Sequence, residues 1–486
     1  MMSVPTNVIL VLATLSILVE LVTVAVFAQK NVMLYADGAR FVFSLSTGNP
    51  WALVWHEFST RLSAYALTVW PALEISQLFS LAPEQIAVVN CFSFYGFQIA
   101  VNFLAYWFAW KLNPRFLVFP VTQTILFSLL GWGFPSELLL APGLLWIILF
   151  IAAKKQGPTI LFLIGFAALI FTHELAFPSA LVAGIFALYL QWRNKGADSR
   201  FWLAFLVIAA TIAAYFSVRA HGGGAGSQSN LIYVFDPRRV LANPLLVPVV
   251  AGAFLLRSTR RVKFPFLLAL SLLGFLIVAT AGLSTSLNFD APRYGARTLI
   301  AVGMLTLTVI FVFMGPEAGP VGREQFRRPT GEAKFGLAKW LFFCLGLQAG
   351  AIGVFVHDWT LLSGAENRLQ DQVSAASSVI SIARAREGWT PAQRDASVRL
   401  QVEWATPYRQ FVLANGNTPR VILYDENTWY KPFDCTERAH IFGRTSRFEA
   451  RNFSLWTSFT CSQAAPAKTD TLKDRLIRKI KHFLGK

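Results

Sequence analysis

Charge is scarce in this chain. Asp, Glu, Lys and Arg together make up 14% of its 486 residues, where a soluble domain carries about 25%. That excludes a molecule whose whole surface faces water. Cysteine is nearly absent too, at four residues, and no CxxC or CxxH pair occurs, so neither a zinc ribbon nor a dithiol redox motif is present. The dipeptides His56-Glu57 and His173-Glu174 do not extend to HExxH, which removes a zinc-protease reading. The run HGGGAGS from His221 ends in no GK[ST] and lacks the strand-to-helix setting of a phosphate loop; it reads as a connection. No self-similarity at a period of about 20–50 residues is visible, which excludes a solenoid. Residues 1–29 contain no Lys or Arg. The apolar run Val8 to Ala28 therefore lacks a basic leader and exceeds a usual signal-peptide core, so it reads as an uncleaved anchor.

What the chain has instead is apolar length. It is 55% hydrophobic, with a mean hydropathy of +0.50, and several stretches reach the roughly 18 apolar residues needed to cross a hydrocarbon core. The expected fold is an all-α polytopic membrane protein of about eleven spans. Their approximate extents are 8–28, 85–110, 116–132, 138–153, 158–173, 175–192, 201–218, 244–256, 264–283, 297–314 and 339–356. The net charge of +17 then needs no nucleic acid. Excess Lys and Arg belongs in cytoplasmic loops, and membrane lipids are the natural partners of the remainder.

Leu62 to Leu81 (LSAYALTVWPALEISQLFSL) is apolar but carries Pro71, Glu74 and Gln77, which are costly at mid-bilayer. If it lies on the outer surface as one or two amphipathic helices, five basic loops fall on one side: Lys111–Arg115, Lys154–Lys155, Arg193–Arg200, Arg257–Lys263 and Arg323–Lys339. The expected topology is therefore a cytoplasmic N-terminus with the chain inserted in an inner (cytoplasmic) membrane. Residues 1–357 form the transmembrane part. Residues 358–486 form a small α/β extracytoplasmic domain. It opens on a helical pattern, Asn367 to Glu387, includes a buried strand at Arg420–Tyr424, and closes on a basic amphipathic helix with Leu472, Leu476, Ile480 and Leu484 on one face. In such a domain Cys435 and Cys461 could form a disulfide, whereas Cys91 and Cys344 fall in spans as packing residues.

With this topology the acids and histidines gather outside. The first loop, Lys30 to Arg61, brings Asp37, Arg40, His56 and Glu57. Later outer segments bring Glu137, the pair His173 and Glu174, then Asp236, Arg238 and Arg239, then Asp290, Arg293, Tyr294 and Arg297. A carboxylate just outside the bilayer can take a proton from a hydroxyl, and Asp37 is the candidate base. Arginines there suit a phosphate or pyrophosphate, whose oxygens match the guanidinium fork; Arg293 and Arg297 are four apart and share a face if the helix has begun. His173 and Glu174 either hold a substrate group or close a helix hairpin by hydrogen bonding. Asp37 is thus assigned as catalytic, and Arg40, His56, Glu57, His173, Glu174, Asp236, Arg238, Arg293, Tyr294 and Arg297 as substrate-binding, with no metal ligand assigned.

An acid soon after the first span, in Tyr35-Ala36-Asp37-Gly38, followed by surface helices, many spans and a terminal domain, resembles the GT-C superfamily of integral membrane glycosyltransferases. The resemblance covers the whole chain in architecture and rests on few residues. It departs from the common family pattern in having one acid here instead of an adjacent pair. It implies a polyprenyl-phosphate sugar as donor, an envelope glycan or lipid as acceptor, and Asp37 as base. A divalent cation accompanies some such enzymes, although no motif here implies one. The competing classes are a lipid or solute transporter, which would place polar residues at mid-bilayer, and a non-catalytic envelope assembly protein.

Overall fold

The computed structural model describes residues 6–46, 59–131, 135–222, 246–255, 264–284, 290–314, 336–372, 378–400, 405–413 and 421–424. Each of the eleven apolar segments falls on a helix. These are α1 (Thr6–Gln29), α5 (Pro83–Leu112), α6 (Val118–Gly131), α7 (Ala141–Lys155), α8 (Ile160–Ile170), α9 (Phe177–Lys195), α10 (Ser199–Gly222), α11 (Leu246–Leu255), α12 (Phe264–Ser284), α13 (Asp290–Met314) and α14 (Gly336–Gln372). Among the described residues, six helical stretches are long and apolar enough to cross a membrane: Thr6–Gln29, Pro83–Leu112, Glu137–Lys155, Glu174–Lys195, Ser199–Val218 and Leu337–Gln372. Apolar side chains such as Leu18, Val22, Phe103 and Leu206 stand exposed on these helices, as do Ile160 of α8 and Leu272 of α12, a surface suited to lipid and costly in water. The chain is a multi-pass membrane protein.

Helices in lipid gain nothing from hiding oil from oil, so close backbone approach decides which of them pair. The α12–α14 contact shows this. Gly346 and Gly350 form a GxxxG step on α14. A β-carbon on Gly346 would meet the Ser271 carbonyl oxygen of α12 at 1.7 Å, and one on Gly274 would meet the Phe343 carbonyl at 2.4 Å. Any larger residue must push the two helices apart. The Ser271 hydroxyl donates to the Phe342 carbonyl at 2.7 Å across the same seam.

Between α1 and α5 the described residues form three short helices. These are α2 (Asp37–Ser46), α3 (Leu62–Thr68) and α4 (Trp70–Leu78). At 7 and 9 residues, α3 and α4 reach only about 10–14 Å each at 1.5 Å per residue, too short to span. Ala64, Tyr65, Thr68, Ala72, Leu73 and Ser76 face inward, while Trp70, Ile75, Leu78 and Phe79 are exposed. The Ser63 amide donates to the Phe171 carbonyl beyond the end of α8, and the Ser93 hydroxyl near the start of α5 donates to the Thr68 carbonyl at 2.5 Å. The segment Leu62–Leu78 thus lies across helix ends.

The terminal part differs from expectation in two respects. The expected helix Asn367–Glu387 is not continuous: α14 runs to Gln372, and Ser378–Ser381 is strand β1, followed by α15 (Ile382–Glu387). The β-branched pair Val379-Ile380 favours a pleated strand over a helix. After α16 (Pro391–Leu400) and α17 (Thr406–Leu413) comes β2 (Val421–Tyr424), which coincides with the expected strand and pairs parallel to β1, Ser378 opposite Val421 and Ser381 opposite Tyr424. The expected boundary at residues 357 and 358 falls inside α14. Moreover, Tyr408, Val412 and Leu423 share one hydrophobic core with Tyr35, Phe41 and Phe43 of the first loop region. Cys435, Cys461 and the basic helix expected at the C-terminus lie outside the described residues.

Candidate functional site

Three short turns bring the site together. The 3-10 turns Ser59–Arg61, Glu137–Leu140 and Glu174–Ala176 stand just before α3, α7 and α9. Their helices carry the basic residues at the opposite ends, Lys154 and Lys155 on α7, and Arg193 and Lys195 on α9. The bundle therefore has an acidic end and a basic end.

At the acidic end Arg61 is the hub. Its Nε donates to Glu174 Oε2 at 3.1 Å and its Nη2 to Glu174 Oε1 at 2.8 Å, a two-pronged pair that matches the guanidinium fork. Its Nη1 reaches both oxygens of Glu137 at 3.2 Å. The Tyr65 hydroxyl donates to Glu137 Oε1 at 3.1 Å. Arg61, Tyr65, Glu137 and Glu174 are all buried. Burial opposes the charge on Arg61, and the two carboxylates more than reverse this, so the guanidinium is held well above its ordinary range. Burial and the Glu137 carboxylate push the Tyr65 phenol well above its ordinary range, against Arg61 and Arg40. Tyr65 is thus a fixed hydrogen-bond donor.

His173 has a local task. Its Nδ1 accepts the Leu175 backbone N–H at 3.1 Å, so it caps the 3-10 turn that carries Glu174. An accepting Nδ1 places the ring proton on Nε2 and leaves the imidazole neutral. This supersedes an ion pair with Glu174 Oε2, whose 3.5 Å separation requires a proton on the same nitrogen.

Asp37 sits beside this cluster on an unusual piece of backbone. The 3-10 turn Val32–Leu34 follows Asn31 at φ 52°, and Ala36, immediately before Asp37, is left-handed at φ 50°. An alanine there costs about 1–2 kcal/mol, and such outliers persist only where surroundings hold them. The surroundings are visible: Tyr35 is enclosed with its ring against Phe355 and Trp359 at 5.0 and 5.7 Å, and a β-carbon on Gly38 would meet the Met33 carbonyl oxygen at 2.5 Å. Asp37 itself, first residue of α2, is only partly buried. Arg40, one turn on, is buried. Both act on Tyr65 through their charge, and Phe41 of α2 packs edge-on against the Tyr65 ring at 5.6 Å.

The structure thus brings together Asp37, Arg40, His173 and Glu174 of the expected residues, and adds Arg61, Tyr65 and Glu137, which were not assigned from sequence. Arg61 and Glu137 were visible as charges in outer segments, but their pairing spans 76 residues of chain and leaves no local signal. Arg293, Tyr294 and Arg297 fall in the first turns of α13, a helix that packs on the turn carrying Glu174. His56, Glu57, Asp236, Arg238 and Arg239 lie outside the described residues. Among the described residues no three of His, Cys, Asp and Glu are grouped to hold a metal ion.

A second polar group was not expected. Glu20 of α1, buried within the apolar helix, accepts from Asn102 Nδ2 of α5 at 3.1 Å, and Ser16 and Tyr106 share a hydrogen bond at 3.0 Å on the same pair of helices. Comparison with protein-family models, with curated proteins and with solved structures finds no match.

Proposed function

We propose that the chain is a membrane glycosyltransferase of the GT-C type. It moves a sugar from a polyprenyl-phosphate donor to an envelope glycan or lipid acceptor on the outer face of the cytoplasmic membrane. In this topology α1 and α5 to α14 cross, the basic end is cytoplasmic, and the residues after α14 form an extracytoplasmic α/β unit. The observation that carries the proposal is the setting of Asp37: a partly accessible carboxylate, straight after the first span, on a left-handed turn held by enclosed aromatics. A base held on a rigid turn needs little reorganisation as it takes a proton.

The step is a displacement. The acceptor hydroxyl oxygen bonds to the anomeric carbon of the donor, the bond from that carbon to the phosphate oxygen breaks, and the hydroxyl proton passes to Asp37. The departing polyprenyl phosphate takes the electron pair and meets arginines of the outer segments, with Arg293, Arg297 and Arg238 as candidates. Arg61 does not serve here, because both faces of its fork are occupied by Glu137 and Glu174. It fixes the wall behind Tyr65.

The test is Asp37→Asn in the full chain reconstituted with synthetic prenyl-phosphate sugars. The expected loss in turnover is about 10²–10⁴-fold, the usual worth of a positioned base, with folding unchanged. Transfer at the wild-type rate would falsify the assignment.

The Glu20–Asn102 pair favours a second reading, a transporter, since an acid inside a span is by default functional. The two readings separate cleanly. A transporter loses solute or proton flux in liposomes on Glu20→Gln and keeps it on Asp37→Asn.

A further inference from the structure

The C-terminal residues make unusual contacts with the loop that carries Asp37. Arg399 of α16 donates from Nε to Asp358 Oδ2 at 2.7 Å and from Nη2 to Asp358 Oδ1 at 2.6 Å. Arg409 of α17 pairs with Glu366 and lies over the Trp359 ring, 5.0 Å from its centroid. All four charged residues are buried. Asp358 and Glu366 stand just over two turns apart on the far part of α14. From there the contacts run directly to the first loop. The Trp359 indole N–H donates to the Lys30 carbonyl at 2.7 Å, at the start of the left-handed turn. The Tyr35 hydroxyl donates to the Leu400 carbonyl at 3.3 Å, one residue from Arg399. The Phe43 ring of α2 packs on Tyr408 at 5.3 Å, one residue from Arg409. Buried ion pairs add little net stability over apolar residues of the same size, but they tolerate only one register. Two of them here, either side of the aromatic that grips Lys30, act as locators.

We infer that the α16–α17 segment is a fixed wall of the Asp37 site, and that Arg399 and Arg409 are positioning residues for Asp37, acting through Asp358, Glu366 and Trp359. The inference rests on the glycosyltransferase reading only for what Asp37 then does. The segment touches the Asn31–Ala36 turn directly at Tyr35, through Leu400, and one side of α2 at Phe43, through Tyr408, and it reaches Lys30 through Trp359 of α14, over which Arg409 lies. Without it the left-handed residues lose part of what keeps them in place.

Amide hydrogen exchange of the full chain in micelles tests the coupling. The amides of Leu34, Tyr35, Gly38 and Ala39 close the turn by hydrogen bonds to Asn31, Val32, Tyr35 and Ala36. In Arg399→Leu their exchange is expected to quicken about tenfold or more, as a local opening, with α5 and α7 unchanged as the control for folding. The swap of Asp358→Arg with Arg399→Asp should restore the wild-type rate. Arg409→Lys, which keeps the charge and loses the fork, should give a smaller quickening and serves if the leucine variant misfolds. Unchanged exchange at 34–39 while 391–413 quickens overturns the inference, as does a swap that restores nothing. With a synthetic prenyl-phosphate sugar as donor, Arg399→Leu should lower kcat with donor KM unchanged, and the swap should recover it. A wild-type chain without transfer overturns the glycosyltransferase reading alone, and the exchange result still decides the coupling.

Discussion

Replacing Arg61 by Leu removes a guanidinium that two buried carboxylates share. Arg61 makes four contacts, two to Glu174 at 2.8 and 3.1 Å and two to Glu137 at 3.2 Å, all in a region shielded from water. Removing one partner of a buried pair costs about 3–5 kcal/mol, because the remaining charge is left uncompensated. Here two carboxylates are left facing each other, so the upper half of that range is expected, a large share of the roughly 5–15 kcal/mol that holds a protein folded. The loss must depend on pH with a definite sign. In the variant, desolvation and mutual repulsion raise the folded-state affinity of the carboxylates for protons. A group with a raised folded-state pKa contributes most below its unfolded value and loses that contribution as pH rises. Arg61→Leu should therefore sit far below wild type at pH 8 and recover part of the gap towards pH 5. Reversible unfolding in mixed micelles at both values measures this. A gap below ~1 kcal/mol at pH 8, or one that widens on acidification, refutes the account of Arg61 as the hub. Adding Glu137→Gln and Glu174→Gln to the variant should recover stability at pH 8, since both carboxylate charges that faced Arg61 are then gone.

Two further substitutions probe the backbone. Gly38→Ala puts a methyl 2.5 Å from the Met33 carbonyl oxygen; overpacking of about 1–3 kcal/mol should appear as a lower melting temperature, together with slower turnover, because the turn before Asp37 must shift. Gly346→Leu should abolish the α12–α14 seam and sharply reduce the yield of folded protein, as read by size-exclusion chromatography in detergent, whereas Gly353→Leu, whose β-carbon would meet open space, should be tolerated.

Much of this architecture is legible in the sequence, because hydrocarbon imposes its own period and length. Every apolar run of spanning length sits on a helix, and the segment with Pro71, Glu74 and Gln77 forms two helices of 7 and 9 residues instead of one long one. The strand at Val421–Tyr424 was visible from its β-branched and aromatic residues. Tertiary pairings were not. Arg61 finds Glu174 across 113 residues of chain, and Tyr35 finds Leu400 across 365; no local pattern encodes either. The strand at Ser378–Ser381 was missed because Ala, Ser, Val and Ile over 373–381 satisfy a helical period and a strand period alike in sequence. Glu20 was passed over because a single acid barely alters the hydropathy of a long apolar helix.

The α14 helix, finally, is a ruler. Its 37 residues extend for about 55 Å, against a hydrocarbon core of about 30 Å. Asp358 stands about 33 Å along it, counting 1.5 Å for each residue from Gly336. Sealed to α12 at Gly346 and Gly350 and gripping Lys30 further along, the rod fixes the distance between that seam and the loop that carries Asp37. A membrane that is thicker or thinner tilts such a rod rather than stretching it. The acyl-chain length of the host lipid is thereby an input to the geometry around Asp37.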